Sequence, residues 1–189
     1  MKLYITRHGQ TDWNARNQAL GSTDIPLNEA GRQQARQAAE DLKDLQFDAI
    51  YCSPLSRAHE TAEIIAANQK AKPVDAWPLR EQDFGIYEGA LRTDENYQRE
   101  KYMYFKPFEG GESFLDVAAR VYPFLESLKE KHGPDDKVLL VCHGGICRII
   151  HNYFEGMDND TFAKYFLENC QLESFDVPAE HKEKFYGQH

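Results

Sequence analysis

Arg7 and His8 stand side by side in ITRHGQTDWN, directly after a short apolar run. A planar guanidinium binds a phosphate dianion through paired hydrogen bonds, more specifically than a lysine point charge does. A neutral imidazole carries a nitrogen lone pair that can attack phosphorus while its other nitrogen is held by a backbone carbonyl or similar acceptor. Arg57 in SPLSRAHETA and His143 at the head of HGG repeat the pairing farther along the chain. The backbone N–H groups of Gly144 and Gly145, at a helix start, add a ready anion site. Gly9 is expected to let the chain turn sharply and bring its backbone close to a ligand. Phosphoryl transfer asks for an in-line nucleophile, donors around the moving group and a proton for the leaving oxygen. Arg7, His8, Arg57 and His143 supply the first two. For the third, LREQDFGIYEG offers Glu81, Asp83 and Glu88, and the pattern alone does not choose among them.

Each of these residues, taken singly, has a plainer reading. Arg7 would serve as a surface ion pair, Arg57 as a solvated charge on an exposed helix, His143 as a hydrogen-bonded core histidine and Glu81 as a loop acid. Their repeated placement after strands changes the balance, because independent accidents would have to coincide.

The elements that must position them are legible as follows. Residues 2 to 6 read as a strand, and PLNEAGRQQARQAAEDL as a helix opened near Asn28. FDAIYCS is a second apolar run that passes into PLSRAHETAEIIAA, where Ser53 is expected to cap and Pro54 to take the first helical position. Leu55, Ala58, Ala62 and Ile65 form one stripe there. KVLLVC is the most strand-like segment and leads into a helix through about Phe154. SFLDVAARVYPFLESLKEK is helical by period, with Pro123 expected to kink or restart it. LESFDV reads as a last strand, and a loose tail is expected from about residue 178. Strands alternating with helices predict an α/β sheet with helices on both faces, in which ligands gather beyond the carboxyl ends of strands. Residues 82 to 112 are the least regular long segment, which in a compact domain points to a functional excursion.

Composition narrows the partners. The 189 residues, 41% hydrophobic, are enough for one core, so a single domain over 1–189 is expected. With 31 acidic against 22 basic side chains the net charge of −9 disfavours nucleic acid and anionic lipid. It also requires any anion site to concentrate positive charge locally. No membrane span or signal peptide is readable, so a cytoplasmic location is expected. Cys52, Cys142, Cys147 and Cys170 form no CxxC pair and read as reduced thiols; HxxxH, HExxH and Cys/His ligand spacings are absent, as is a GxxxxGK[ST] loop. In NYQREKYMYFKPF, Tyr102 and Lys106 are specificity candidates, while most of the rings read as packing the excursion onto the domain. His59 and His151 read as local hydrogen-bonding residues on helices, and Cys142 as core filling. An exposed edge strand is compatible with a homodimer.

RHGQTDWN, DIPLNEAGRQQA, SPLSRAHETA, LREQDFGIYEG, GGES and VCHGG, in this order over nearly the whole chain to about Val177, resemble the histidine phosphatase superfamily. Its members include cofactor-dependent phosphoglycerate mutases and many phosphomonoesterases. The resemblance implies a three-layer sandwich, a mixed and mostly parallel sheet between helical layers, with the 82–112 excursion as a partial cap over the site. It implies His8 as the nucleophile that becomes phosphohistidine, Arg7 and Arg57 as phosphate clamps, and His143 as a transition-state-stabilising group. It selects Glu81 as the general acid and gives Asn14 a phosphate contact. The implied chemistry needs no metal and no cofactor. Leu20, before Gly21, departs from the glutamine common in related phosphatases and the threonine common in mutases, so no particular substrate transfers. Hydrolysis of a small phosphomonoester is expected, since the excursion leaves little material for the closed lid that mutase-type transfer needs. Mutase-type transfer and an inactive phospho-ligand binding module are the alternatives.

Overall fold

A computed structural model describes residues 1–178, so the expected tail lies, apart from Pro178, outside the described residues. In chain order the elements are β1 (Lys2–Arg7), α1 (Asp12–Ala15), α2 (Glu29–Asp41), β2 (Ala49–Cys52), α3 (Ser56–Ala66), β3 (Pro73–Asp75), α4 (Glu95–Lys101), α5 (Phe114–Lys131), β4 (Lys137–Cys142), α6 (Gly144–Glu155), α7 (Asn159–Lys164) and β5 (Leu172–Asp176). Two short 3-10 turns, Trp77–Leu79 and Gly85–Tyr87, flank the approach to the irregular segment.

The five strands are ordered β3-β2-β4-β1-β5. All neighbours are parallel except β5, which runs antiparallel to β1. β4 lies at the centre and reads as a continuous apolar run because both of its faces are covered. Alternation along the strands sorts side chains between two cores. Leu3, Ile5, Val138 and Leu140 meet Val121, Leu125 and Ile146 of α5 and α6. Tyr4, Ile50, Leu139 and Val141 meet α2 and α3 through Ala38, Ala58, Ala62 and Ile65. This is the expected mixed, mostly parallel sheet with helices on both faces.

The register aligns the strand ends that matter. Arg7 pairs with Cys142, and Cys52 with Val141. His8 N then donates to the Cys142 carbonyl at 3.0 Å and Ser53 N to that of Val141 at 3.0 Å. The chain therefore leaves β1, β2 and β4 at one edge of the sheet, carrying His8, Arg57 and His143 with it.

Three local expectations are corrected. α3 starts at Ser56 behind Leu55, not at Ser53–Pro54, because the ladder bond from Ser53 keeps the chain extended there. Its cap comes from elsewhere in the chain: Asp24 Oδ1 accepts from Ser56 N at 2.9 Å and Ser56 Oγ at 2.7 Å. Pro123 does not divide α5, in which Val117, Val121, Leu125 and Leu128 stay buried along one face on both sides of the proline. Continuous burial of that stripe outweighs the single backbone bond that proline removes. Gly9 is glycine for packing and not for a left-handed turn: a Cβ there would collide with the backbone of Gly31 in α2.

Residues 82–112 are more ordered than their composition suggests. They include α4, capped by Asp94 through Tyr97 N at 2.9 Å. Phe84, Tyr87, Tyr97 and Phe108 close around Ala19 as a small aromatic core. Phe84 and Phe108 meet edge-on at 5.3 Å between centroids. Most rings of this segment thus pack the excursion onto the domain, as expected.

Candidate active site

His8 is buried, and its Nδ1 lies 2.7 Å from the Gly9 carbonyl. A carbonyl can only accept, so Nδ1 carries the proton and Nε2 keeps the lone pair. Burial, then the cations of Arg57 and Arg7, hold the imidazole well below its ordinary value of 6.5, against the opposing pull of the Gly9 carbonyl. The ring is therefore neutral at physiological pH. Asn169 Nδ2 donates to the His8 carbonyl at 2.5 Å and fixes the main chain behind it.

Arg7 and Arg57 are cations whose fields reach His8. Arg7 is buried, donates through Nη1 to the Leu167 carbonyl at 3.2 Å and lies over the Phe166 ring at 5.2 Å. Arg57 has no exposed surface, which overturns its plain reading as a solvated helix charge. Its Nη1 and Nη2 donate to the carbonyls of Thr23 at 2.9 Å and Gly21 at 2.6 Å. The Nε atoms of both arginines are buried without a partner among the described residues. Burial pushes the Arg57 guanidinium down to about 10, partly offset by Glu81, Asp24 and Glu88, so it stays a cation at neutral pH.

His143 lies 5.1 Å from His8 between ring centroids, fully buried at the N-terminus of α6. Neither ring nitrogen has a partner among the described residues, so His143 is not the hydrogen-bonded core histidine of its plain reading. Burial, then Arg57 and His8, depress its pKa well below 6.5. The neutral His143 ring offers one N–H donor and one acceptor nitrogen, and with the two uncommitted guanidinium N–H groups these buried polar atoms have nothing to bind among the described residues. Such groups are costly to bury unless a ligand completes them.

The three acids left open by the sequence now separate. Glu81 is buried at this site: Oε1 accepts from Gln82 N at 2.9 Å and Oε2 from Gly145 N at 3.0 Å, at the start of α6. A Cβ at Gly145 would lie 2.6 Å from Glu81 Oε1, so that glycine makes room for the carboxylate. Asp83 is occupied with the turn, accepting from Gly85 N at 2.8 Å. Glu88 accepts from the backbone N–H groups of Gly21, Ser22, Thr23 and Phe84 at 2.9–3.3 Å. It shapes the loop whose carbonyls hold Arg57, a role with no sign in the residue pattern.

Arg7, His8, Asn14, Glu81 and Gly144 line one cleft of about 730 Å³, part of it open to solvent. Arg57 and His143 do not line it and have no exposed surface. Asn14 belongs to the capping box of α1, where its Oδ1 accepts from Thr11 N at 3.2 Å. The cleft is also lined by residues that the sequence pattern did not single out: Gln82, Phe84, Arg92, Tyr97, Lys101 and Arg148. Arg148 carried a readable signal, since it lies one turn beyond Gly144 on α6. Tyr102 and Lys106 do not line the cleft; Tyr102 is half exposed and Lys106 pairs with Glu100 at 2.6 Å. Their neighbours Tyr97 and Lys101 take those places because α4 turns them inward.

The cysteines are free thiols, as expected, with Cys142 and Cys147 buried at 3.5 Å Sγ to Sγ. His59 and His151 bond out of their helices to Asp75 on β3 and Glu173 on β5, both at 2.7 Å. Among the described residues no helix is long and apolar enough to cross a membrane.

Residues 3–184 match the model of the histidine phosphatase superfamily (branch 1). The chain is 34% identical to the uncharacterised phosphatase PhoE of Bacillus subtilis (strain 168) over 88% of this chain and 83% of that one. It is 35% identical to a 2,3-bisphosphoglycerate-dependent phosphoglycerate mutase of Allorhizobium ampelinum over 77% and 75% of the two chains. Its fold superposes on a mycobacterial glucosyl-3-phosphoglycerate phosphatase with a TM-score of 0.82, covering 92% of this chain and 88% of that one at 29% identity.

Proposed function

Since the chain belongs to the histidine phosphatase superfamily, we propose that it hydrolyses a small phosphomonoester through a phosphohistidine at His8. The observation that carries this reading is the His8 Nδ1 bond to the Gly9 carbonyl, which leaves a neutral ring with its Nε2 lone pair free. In the first half of the cycle, Nε2 bonds to phosphorus and the ester P–O bond breaks, with Glu81 giving its proton to the departing alkoxide. In the second, Glu81 takes a proton from water, the hydroxide oxygen bonds to phosphorus, the P–N bond breaks and phosphate leaves. Arg7 and Arg57 clamp the nonbridging oxygens, and their unpartnered Nε atoms support that role. His143 donates to the oxygen on which charge builds, while Asn14 and the Gly144 backbone complete the phosphate cradle. Groups of the protein itself fill every role, so turnover is metal-independent.

The wall narrows the substrate class. Lys101 is held below the usual ammonium range by burial and then by Arg148 and Arg92, so three cations crowd one side of the cleft. An ester carrying a second anionic group relieves that repulsion. Residues 82–112 thereby act as a partial cap that reads the substrate beyond its phosphate. The net charge of −9 accords with a small metabolite substrate in the cytoplasm and not with nucleic acid.

The test is phosphate release from a panel of monoesters, with and without a carboxylate or second phosphate, beside His8→Ala and after treatment with a chelator. Release that survives chelation and is lost in His8→Ala, with acid-labile phosphate on the wild-type protein alone, supports the reading. Isomerisation of 3-phosphoglycerate with 2,3-bisphosphoglycerate and little phosphate release would assign mutase-type transfer instead. Tight binding with no turnover of any ester would assign a binding module.

A further inference from the structure

Cys52 ends β2, His59 lies in the first turns of α3 and Asp75 ends the edge strand β3. None of the three lines the cleft. Cys52 Sγ lies 3.7 Å from His59 Nδ1 and 3.4 Å from Asp75 Oδ1, and the last two atoms are 2.7 Å apart. We propose that this trio binds a divalent ion of the zinc class, with thiolate, imidazole and carboxylate as ligands and water in the fourth position.

The distances support it. Ligands on a tetrahedral zinc ion, with sulfur at about 2.3 Å and nitrogen or oxygen at about 2.0–2.1 Å, lie roughly 3.5 Å apart. Both sulfur edges match this separation. The Nδ1–Oδ1 edge opens by roughly half an ångström when the ion replaces the hydrogen bond between them. A thiol, an imidazole and a carboxylate together select a borderline ion over magnesium or calcium, which take oxygen ligands.

A second observation concerns the far side of the imidazole. His59 Nε2 faces Glu63 Oε1 at 3.6 Å, one helical turn away. A carboxylate behind the distal nitrogen is the arrangement that orients a metal-bound histidine. On binding, the His59 proton moves from Nδ1 to Nε2, toward Glu63, and the Cys52 thiol releases one proton to solvent. Burial and Asp75 push that thiol up to about 12, so without an ion it stays protonated. One thiolate and one carboxylate then balance the charge of the ion. Cys52 is buried while the side chains of His59 and Asp75 are 37% and 53% exposed, which gives an entry path from the solvent side. The ion would tie the three-residue edge strand β3 to β2 and to α3, the helix that presents Arg57.

The test titrates the full chain with Co²⁺ and then Zn²⁺ in phosphate-free buffer. The expected result is about one equivalent of Co²⁺ with tetrahedral d–d bands and a thiolate charge-transfer band, displaced by Zn²⁺. With Zn²⁺ near 100-fold above its Kd, Tm should rise by roughly 5 °C or more. Cys52→Ser should lose the charge-transfer band, and Glu63→Gln should weaken binding about tenfold. His59→Gln, at a partly exposed position, tests the site if the buried serine variant does not fold. His8→Ala should bind as the wild type does. No charge-transfer band, a band that persists in Cys52→Ser, or binding lost in His8→Ala and kept in His59→Gln would overturn the proposal.

Discussion

The floor of the cleft and its wall are held in different ways. His8, Arg57 and His143 follow the carboxyl ends of parallel strands, and the ladder and backbone carbonyls fix them where solvent does not reach. The wall, from Phe84 to Phe108, is one turn, a seven-residue helix and loops held by a small cluster of rings. Arg57 and His143 have buried nitrogens without a partner among the described residues, whereas the wall presents charges that repel one another. A fixed floor suits a group common to every substrate, and a separately packed wall can vary without disturbing it.

The comparison breaks first if the floor proves dispensable. His8→Ala should lower kcat by at least about 10³-fold and abolish acid-labile phosphate, measured by single-turnover quench. Undiminished turnover would remove the nucleophile from the mechanism. Glu81→Gln should cost about 10²- to 10⁴-fold on alkyl esters. The loss should be much smaller on p-nitrophenyl phosphate, whose leaving group needs no proton. Equal losses on both would mean that Glu81 positions the site and does not transfer a proton.

The difference between floor and wall also decided what could be read in the sequence. Floor residues were legible because each follows a strand or opens a helix, where apolar periodicity locates them without knowledge of the fold. The choice of Glu81 over Asp83 and Glu88 was not legible from pattern, since it depends on which carboxylate reaches Gly145. The ENYQREK stretch of α4 is too short and too polar to show a period, so Lys101 and Lys106 could not be told apart. Ser53 looked like a cap because the ladder bond that occupies its N–H lies in another strand. Cys52, His59 and Asp75 come from three elements and make no spacing motif at all.

A pH measurement sharpens the floor further. His8 and His143 are depressed below 6.5 in the folded protein and regain that value when unfolded. Their contribution to stability is whole above pH 6.5 and is lost as the pH falls below it, because the unfolded imidazoles bind protons first. Tm should therefore decline below pH 6.5, and less steeply in His143→Asn, which has no proton to gain. The acid limb of turnover set by His8 should lie below 6.5 for the same reason. An identical Tm profile in the asparagine variant would mean that other groups carry the acid sensitivity.

The smallest effects test whether the wall is a reader or only a cover. Lys101 faces the cleft beside Arg92 and Arg148, while Lys106, five residues on, is paired with Glu100 outside it. Lys101→Ala should raise KM about tenfold for esters with a second anionic group, the worth of one charge-assisted hydrogen bond, with kcat unchanged. For p-nitrophenyl phosphate, which has no second anion, KM should not move. Lys106→Ala and Tyr102→Ala should leave both constants within about twofold, as expected of exposed side chains away from the substrate. If Lys106 proved as sensitive as Lys101, the effect would be long-range attraction falling with added salt, and the wall would attract substrates without distinguishing them.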